Sequence, residues 1–400
     1  MPEPSPVTIV TSPSQLVALC DHLRASGRFA FDTEFVSEHT FEPVLCLAQV
    51  ATTERLAVID PLAVRDLDPF WDVLLDPHVE VVMHAAGEDL RITRQRAGDV
   101  PARVFDVQVV AGLVGLGHSL SLNNLIASLL HVSLSSGETR TDWRRRPLTP
   151  AQLRYAADDV RHLLTAADEL KRRLERLGRT AWAEFELEEA LALVRDRQEE
   201  DRWLRLPGLQ QLSRRGLEAA RLLWEWRADV AREQDRPLRS MMRDDLLVAI
   251  ARRFPAQKRD LEALRDFHRP ALTQRAGEIL DVIARARAVP EDRLPEELER
   301  IDEPPGVAMI TGLLSASLHQ CCNQAQVAVG LTGTSSDLKE LIRWYLQGQD
   351  EARPPRLLRG WRREVCGVTL LDVLAGRRSL RVFDPSAEVP VALAPIAEDQ

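Results

Sequence analysis

The run Phe29-Ala-Phe-Asp-Thr-Glu-Phe35 is apolar apart from two acids and a threonine, and Gly27 stands just ahead of it. A short apolar run with a glycine at its edge is the pattern of a buried strand. Side chains alternate across a strand, so Asp32 and Glu34 project from one face while Phe31, Thr33 and Phe35 take the other. Two neighbouring carboxylates with apolar flanks repel each other unless a cation holds them. Hard divalent ions such as Mg²⁺ take oxygen ligands from a few carboxylates, water and substrate phosphate. Taken alone, Asp-x-Glu describes a pair of solvated acids on an edge strand more readily.

Downstream of this strand, Val44 to Ala51 and Arg55 to Asp60 form a hairpin pattern, and Glu80 to His84 is a further strand. Helical spacing dominates afterwards. Strands first and helices later predict a mixed sheet covered by helices across residues 1–195. From about residue 200 the strand signals vanish. Ala219, Leu222, Leu223, Trp226 and Val230 repeat at three- and four-residue steps, the stripe of an amphipathic helix. A second helix is expected from Asp244 to Arg253, stopping before Pro255, and a third from Thr273 to Ala286, which gives a helical domain over 200–288. Between Pro290 and Pro305 lie four prolines and seven acids, so 289–305 reads as an acidic linker. Residues 306–400 form a last region, helical from Gly306 to Leu346 with a strand expected within Ser379 to Val391. Two helical blocks in succession suggest a duplicated module.

With 400 residues, 45% of them hydrophobic and 28% charged, two or three globular domains are expected. No apolar stretch reaches the ~18 residues of a membrane span. The start lacks the basic and apolar blocks of a secretory signal, so a cytoplasmic location is expected. Five cysteines without a C-x-x-C pair point away from a disulfide framework and from a thiolate zinc site. Net charge is −9, yet residues 201–281 carry 17 Lys/Arg against 13 Asp/Glu. That asymmetry fits a nucleic-acid footprint, or simply the charged surface of helices.

Two more acidic clusters follow the first. His84-Ala-Ala-Gly-Glu-Asp89-Leu places an acid at the start of a helix and the carboxyl end of a strand, where α/β sites gather; such an acid also complements a helix dipole. In Gln152-Leu-Arg-Tyr155-Ala-Ala-Asp158-Asp159-Val160, the stripe Leu153, Ala156, Ala157, Val160, Leu163, Leu164 and Ala167 marks one long helix. Tyr155 and Asp159, four apart, are neighbours on its surface. Asp158 is also within reach of Tyr155, but Asp159 lies closer to it in angle and nearer the packed side.

In order, Asp32-Thr-Glu34, His84-Ala-Ala-Gly-Glu-Asp89-Leu and Tyr155-Ala-Ala-Asp-Asp159-Val resemble the three motifs of the DEDD exonuclease superfamily. Tyrosine four residues before the last aspartate resembles its tyrosine branch; the histidine branch would need His at 154, where Arg154 stands. Glu138-Thr-Arg-Thr-Asp-Trp-Arg-Arg-Arg-Pro-Leu148, with Gln152, is similar to the ribonuclease D family in particular. Trp226 to Pro237, then Asp244-Asp-Leu-Leu-Val-Ala-Ile-Ala-Arg and Pro255, resemble the HRDC module, an auxiliary nucleic-acid-binding unit. Leu331-Thr-Gly-Thr-Ser-Ser-Asp-Leu338 resembles a degenerate second copy.

This resemblance implies an α/β ribonuclease H-like exonuclease domain, a mixed sheet flanked by helices, followed by all-α HRDC-like helical domains. It implies 3′–5′ hydrolysis of RNA, with precursor tRNA as substrate, by a monomeric protein. It also implies that Asp32, Glu34, Asp89 and Asp159 bind two divalent ions, Mg²⁺ or Mn²⁺. Asp32 would bridge them, Glu34 and Asp159 would complete the first ion's ligands, and Asp89 would lie nearer the second ion. Two metals ~4 Å apart serve both the attacking water and the leaving oxygen. Tyr155 would orient the water, since a phenol is too weak a base to deprotonate it. Arg140, Arg144, Arg145 and Arg146 either contact substrate phosphates or form a solvated loop held by Glu138 and Asp142. His84 is expected to be structural. Trp143, Trp224 and Trp226 are candidates for base stacking, although Trp226 sits on the apolar stripe. DNA end processing and a non-cutting RNA scaffold are the competing functions; the intact set of acids speaks against the scaffold.

Overall fold

A computed structural model describes residues 7–134, 137–138, 141–196, 200–298, 304–387 and 390–396. Strands β1 (Val7–Val10), β2 (Arg28–Val36), β3 (Val44–Ala51), β4 (Leu56–Ile59), β5 (Glu80–Met83) and β6 (Val104–Asp106) form one sheet in the order β1-β4-β3-β2-β5-β6. Only β3 is reversed: it pairs antiparallel with β2 and β4, and the other pairs are parallel. Leaving β1 aside, five strands with one reversed form the ribonuclease H-like sheet that was expected. The β3–β4 hairpin also falls where the sequence places it. β1 and β6 were not foreseen. They are four and three residues long, too short to show alternation, and gain their place by parallel pairing.

Helices α1 (Pro13–Ser26), α2 (Asp68–Leu74) and α3 (Gly87–Ala97) cover one face, where Leu16, Phe70, Trp71 and Ile92 pack on Phe29, Phe31 and Val50. On the other face lie α4 (Val107–Leu113), α5 (Leu122–Leu130), α6 (Pro150–Arg161), α7 (Leu163–Leu177) and α8 (Thr180–Arg195), meeting Ala30, Ala51 and Val82. β2 thus divides its alternating side chains between two cores. The single helix expected through Leu153–Ala167 is in fact two. At His162 the backbone leaves helical geometry (φ −106°, ψ −3°), so that α6 lies on β2, β3 and β4 while α7 turns onto β5, α4 and α5. The apolar spacing runs on through the break, which is why spacing alone does not reveal it.

The next unit holds α9 (Arg214–Glu233), α10 (Leu238–Met241), α11 (Asp244–Arg253), α12 (Lys258–Glu262), α13 (Pro270–Gln274) and α14 (Ala276–Ala288). Leu217, Leu223, Leu247, Ile250, Phe267 and Ile283 form its core. α11 ends before Pro255 as expected. The helix expected from Thr273 begins instead at Ala276, after a break at Arg275. The acidic segment behind it is not a free linker over 290–298: the Arg214 guanidinium donates to the carbonyls of Glu291, Leu294 and Pro295, and Leu294 is buried.

A third unit comprises α15 (Val307–Ala325), α16 (Val329–Thr332), α17 (Ser335–Leu346), α18 (Val368–Leu374) and a closing hairpin of β7 (Arg378–Val382) with β8 (Val391–Pro395). It has its own core around Leu314, Leu341, Leu357 and Leu370 and is seated firmly on the first domain. A Cβ at Gly112 would lie 2.9 Å from Leu331 Cδ2, so the absence of a side chain there lets α16 approach α4. Arg179 reaches across to the carbonyls of Ala325 and Gln326. Glu186 of α8 meets Arg362, and both are buried.

Candidate active site

β2 delivers Asp32 and Glu34 to the face on which α6 lies. A capping box fixes the start of α6: the Thr149 hydroxyl accepts from Gln152 N–H, the Gln152 side chain accepts from Thr149 N–H, and Pro150 opens the first turn. Gln152 also donates to the Thr141 hydroxyl, tying the preceding loop to the helix. So anchored, α6 presents Asp159 to the strand. Carboxylate oxygens of Asp32, Glu34 and Asp159 all lie within 4.8 Å of one another. Asp158 is not in that group and pairs with Arg161 at 3.3 Å. The β2–β3 register shifts between Glu34 and Phe35, a local irregularity that re-aims side chains beside the site.

Asp89 approaches from the other side. It sits buried in the first turn of α3 and accepts a hydrogen bond from the Thr33 hydroxyl, on the β2 face opposite Asp32 and Glu34. Its charge is still felt by the other three acids. The turn leading to α3 is held by Asp106, whose carboxylate accepts from Ala85 N–H (3.1 Å), Ala86 N–H (2.9 Å) and Gln108 N–H (2.8 Å). Thr33 and Asp106 are thus positioning residues that the sequence did not disclose; each shows itself only once distant segments are brought together.

Burial, then mutual repulsion, raises this cluster out of the usual carboxylate range. Asp32 is driven well up by burial and by Asp89, Asp159 and Glu34. Glu34 rises to about 8 through burial, Asp159 and Asp89. Asp159 rises to about 7 through burial, Asp158 and Asp89. For Asp89 burial lifts the value to about 7 against the opposing Thr33 hydrogen bond. Directly across from Asp32 on β3 stands Gln49, fully buried, with neither amide atom hydrogen-bonded among the described residues. Crowded hard oxygen ligands beside an unpartnered amide are a surround that a divalent cation fits.

These raised values have a sign. The folded, metal-free chain holds protons that the unfolded chain has released, so the acids' contribution to stability is whole below about pH 4 and is lost as pH rises through about 7 to 8. In chelator, the melting temperature is expected to fall between pH 5.5 and pH 8, and Mg²⁺ or Mn²⁺ to restore more at pH 8 than at pH 5.5. A flat or rising melting curve over that range would contradict the assignment.

Tyr155 lies one turn before Asp159 and packs on Trp143 with ring centroids 6.0 Å apart. Trp143 is buried, so it buttresses Tyr155 and is not available to stack on bases. Trp226 is half-buried against its core and donates to Glu278. Arg146 is likewise committed elsewhere. Its guanidinium clasps Asp60 at 2.6 and 2.8 Å and donates to the carbonyls of Cys46, Trp143 and Arg145, which locks the loop to β3 and β4 and leaves it no donor directed at phosphate. Arg144 pairs with Asp142 at 2.9 Å, and Arg145, at 83% side-chain exposure, is 3.7 Å from the same acid. Arg140 lies outside the described residues. His84 bonds the Leu120 carbonyl at 3.0 Å, the structural part expected of it.

Comparison with known proteins agrees with this geometry. A family profile described as 3′-5′ exonuclease matches residues 7–175, and an HRDC domain profile matches 217–283. Ribonuclease D of Gluconacetobacter diazotrophicus is 36% identical over 382 residues, 95% of each chain. Ribonuclease D of Pseudomonas paraeruginosa is 35% identical over 90% of this chain and 96% of its own. The crystal structure of Escherichia coli RNase D, described as an exoribonuclease involved in structured RNA processing, superposes with a TM-score of 0.81 at 29% identity, covering 93% of this chain and 99% of that one. With likeness running through all three units as well as the acidic centre, this chain belongs to the ribonuclease D family of 3′–5′ exoribonucleases.

Proposed function

We propose that this chain shortens RNA from a free 3′ end, releasing 5′-mononucleotides, with Asp32, Glu34, Asp89 and Asp159 as the acids that hold the catalytic cations and Tyr155 as the residue that orients water. The convergence of Asp32, Glu34 and Asp159 within 4.8 Å, with Asp89 in electrostatic reach, carries this reading. Two ions, Mg²⁺ or Mn²⁺, would activate the attacking water and stabilise the leaving oxygen when bound. Asp32, Glu34 and Asp159 would hold the first ion, with Asp32 shared, and Asp89 from α3 would serve the second. Tyr155 holds the attacking water by hydrogen bond. Arg144 and Arg145 meet substrate phosphate through their solvent-facing guanidinium groups.

Precursor tRNA is the substrate class, as the family and the structured-RNA role of the Escherichia coli relative suggest. Residues 200–288 act as the HRDC unit and 306–400 as a degenerate second copy in a monomeric cytoplasmic protein. No helix of the described residues is long and apolar enough to cross a membrane. The test is a single-stranded RNA labelled at its 5′ end. Stepwise shortening is expected with Mg²⁺ or Mn²⁺, none with EDTA, and none when the 3′ hydroxyl is blocked. Cutting that survives EDTA or the block would overturn the reading.

A further inference from the structure

β3 reads Val44-Leu-Cys-Leu-Ala-Gln-Val-Ala51, an apolar strand with one amide in it. Gln49 has none of its surface exposed, and neither its amide nitrogen nor its amide oxygen is hydrogen-bonded among the described residues. Burying an amide without a hydrogen bond is unfavourable, because water would have satisfied both of its polar ends. Valine or leucine would fill the same place in the sheet without that cost. An amide kept there therefore calls for a partner.

The ladder narrows the choice. Alternation puts Leu47 and Ala51 beside Gln49 on the face that α6 covers, and Val58 stands opposite on β4. All three are buried and apolar, as is Ala156, which α6 packs onto Leu47 and Val58. Asp60, just past the end of β4, is already closed by two nitrogens of Arg146. On the other side, Asp32 is directly opposed on β2, with Glu34 on the diagonal. Opposed side chains on paired strands start about 5 Å apart at Cβ, and diagonal ones about 7–8 Å apart. The Gln49 amide thus reaches the Asp32 carboxylate by turning its own torsions, with the backbone left in place. The Trp143 indole N–H, packed in the cluster of Leu47 and Val58, is also buried without a partner; as a donor it can serve only the amide oxygen, which leaves the amide N–H for the acids.

We propose that Gln49 is a positioning residue of the cation site: its amide N–H donates to the Asp32 carboxylate and holds it in the orientation that ligates. The proposal rests on the reading of Asp32 as a cation ligand. A ligating carboxylate keeps lone pairs to spare, and a hydrogen bond to one of them fixes where the others point. A neutral amide does so without the positive charge of Arg or Lys, which would compete with the ion.

The test is Mn²⁺ titration of the full-length chain by calorimetry, beside melting in EDTA. Gln49→Met, nearly isosteric but unable to donate, is expected to bind Mn²⁺ about 10–100-fold more weakly and to melt in EDTA no lower than the parent. Gln49→Leu should behave alike. In both, RNA shortening should need correspondingly more Mn²⁺ for half its maximal rate and recover towards the parental rate at saturation. Gln320→Met, which removes a buried amide with an unpartnered oxygen from α15, should leave Mn²⁺ affinity unchanged. Parental Mn²⁺ affinity in the Gln49 variants would overturn the proposal, and a lowered melting temperature with it would make Gln49 a packing residue only. An equal loss in Gln320→Met would overturn it too. Asp32→Asn judges the ligand reading separately: Mn²⁺ binding at the parental level there removes Asp32 as a ligand, whereas weak binding there beside parental binding in Gln49→Met defeats the positioning role alone.

Discussion

Asp32→Asn is expected to abolish RNA shortening, by at least about a thousandfold in turnover, while leaving the chain folded. A central cation ligand contributes several kcal/mol to the charged transition state, and ~4 kcal/mol corresponds to about three powers of ten. The substitution is close to isosteric, so packing is retained. In the metal-free state it removes one of four mutually repelling acids, the one most crowded by the others. Gln49, directly across the ladder with an unpartnered amide, is placed to accept the new neighbour, because opposed side chains on paired strands sit ~5 Å apart. The chelated variant should therefore melt no lower than the chelated parent at pH 8, and cation should raise its melting temperature much less. Steady-state shortening rates and melting curves on the same preparations check this. Residual activity near the parental level would remove Asp32 from the mechanism; lost activity with a collapsed melting transition would give it a structural part instead.

Glu186→Ala is expected to carry the largest penalty in stability. The Glu186 carboxylate takes both terminal nitrogens of Arg362 and the Trp361 indole N–H at 2.8 Å. Arg362 spends its remaining donors on the carbonyls of Leu331 and Thr332, both at 2.9 Å. With Arg362 at 2% exposure, removing the acid leaves a buried cation without counter-charge, a change that costs about 3–5 kcal/mol. The effect should localise, with hydrogen exchange quickening in α16 and in residues 356–374 before it does so in the sheet. Glu186→Leu combined with Arg362→Leu should recover most of the loss, because an apolar pair of similar volume is tolerated where a lone charge is not. A single variant with parental melting and parental exchange would show that the two units are held by other contacts.

The acidic centre was legible because its constraint is local. Asp32 and Glu34 share a strand face by alternation, Tyr155 and Asp159 share a helix face by their spacing of four, and Asp89 announces itself by position after a strand. Distances between these segments are set by chain packing, and no spacing states them. For that reason Thr33, written off to the opposite face of β2, proved to hold Asp89. The same limit explains Arg146: an arginine in a basic loop looks like a phosphate ligand until Asp60, 86 residues away, closes on it. β6, with three residues, has too few side chains to show a period. His162 breaks a helix whose apolar rhythm continues undisturbed on either side. Trp224 was noticed for its ring, yet its place in a cleft between α3 and α9 depends on how two domains meet.

The seat of α16 on Gly112 bears on how this chain could have been shortened or lengthened in descent. Trp182 stacks on Trp361 at 5.3 Å, and beside it the Arg179 guanidinium serves carbonyls of both units. A lineage that shed the last hundred residues would lay bare an indole, a cation and a bare helix backbone on one flank, an adhesive combination for a protein in a crowded cell. Such a truncated descendant should be found with a bulkier side chain at 112 and a hydrophilic one at 182.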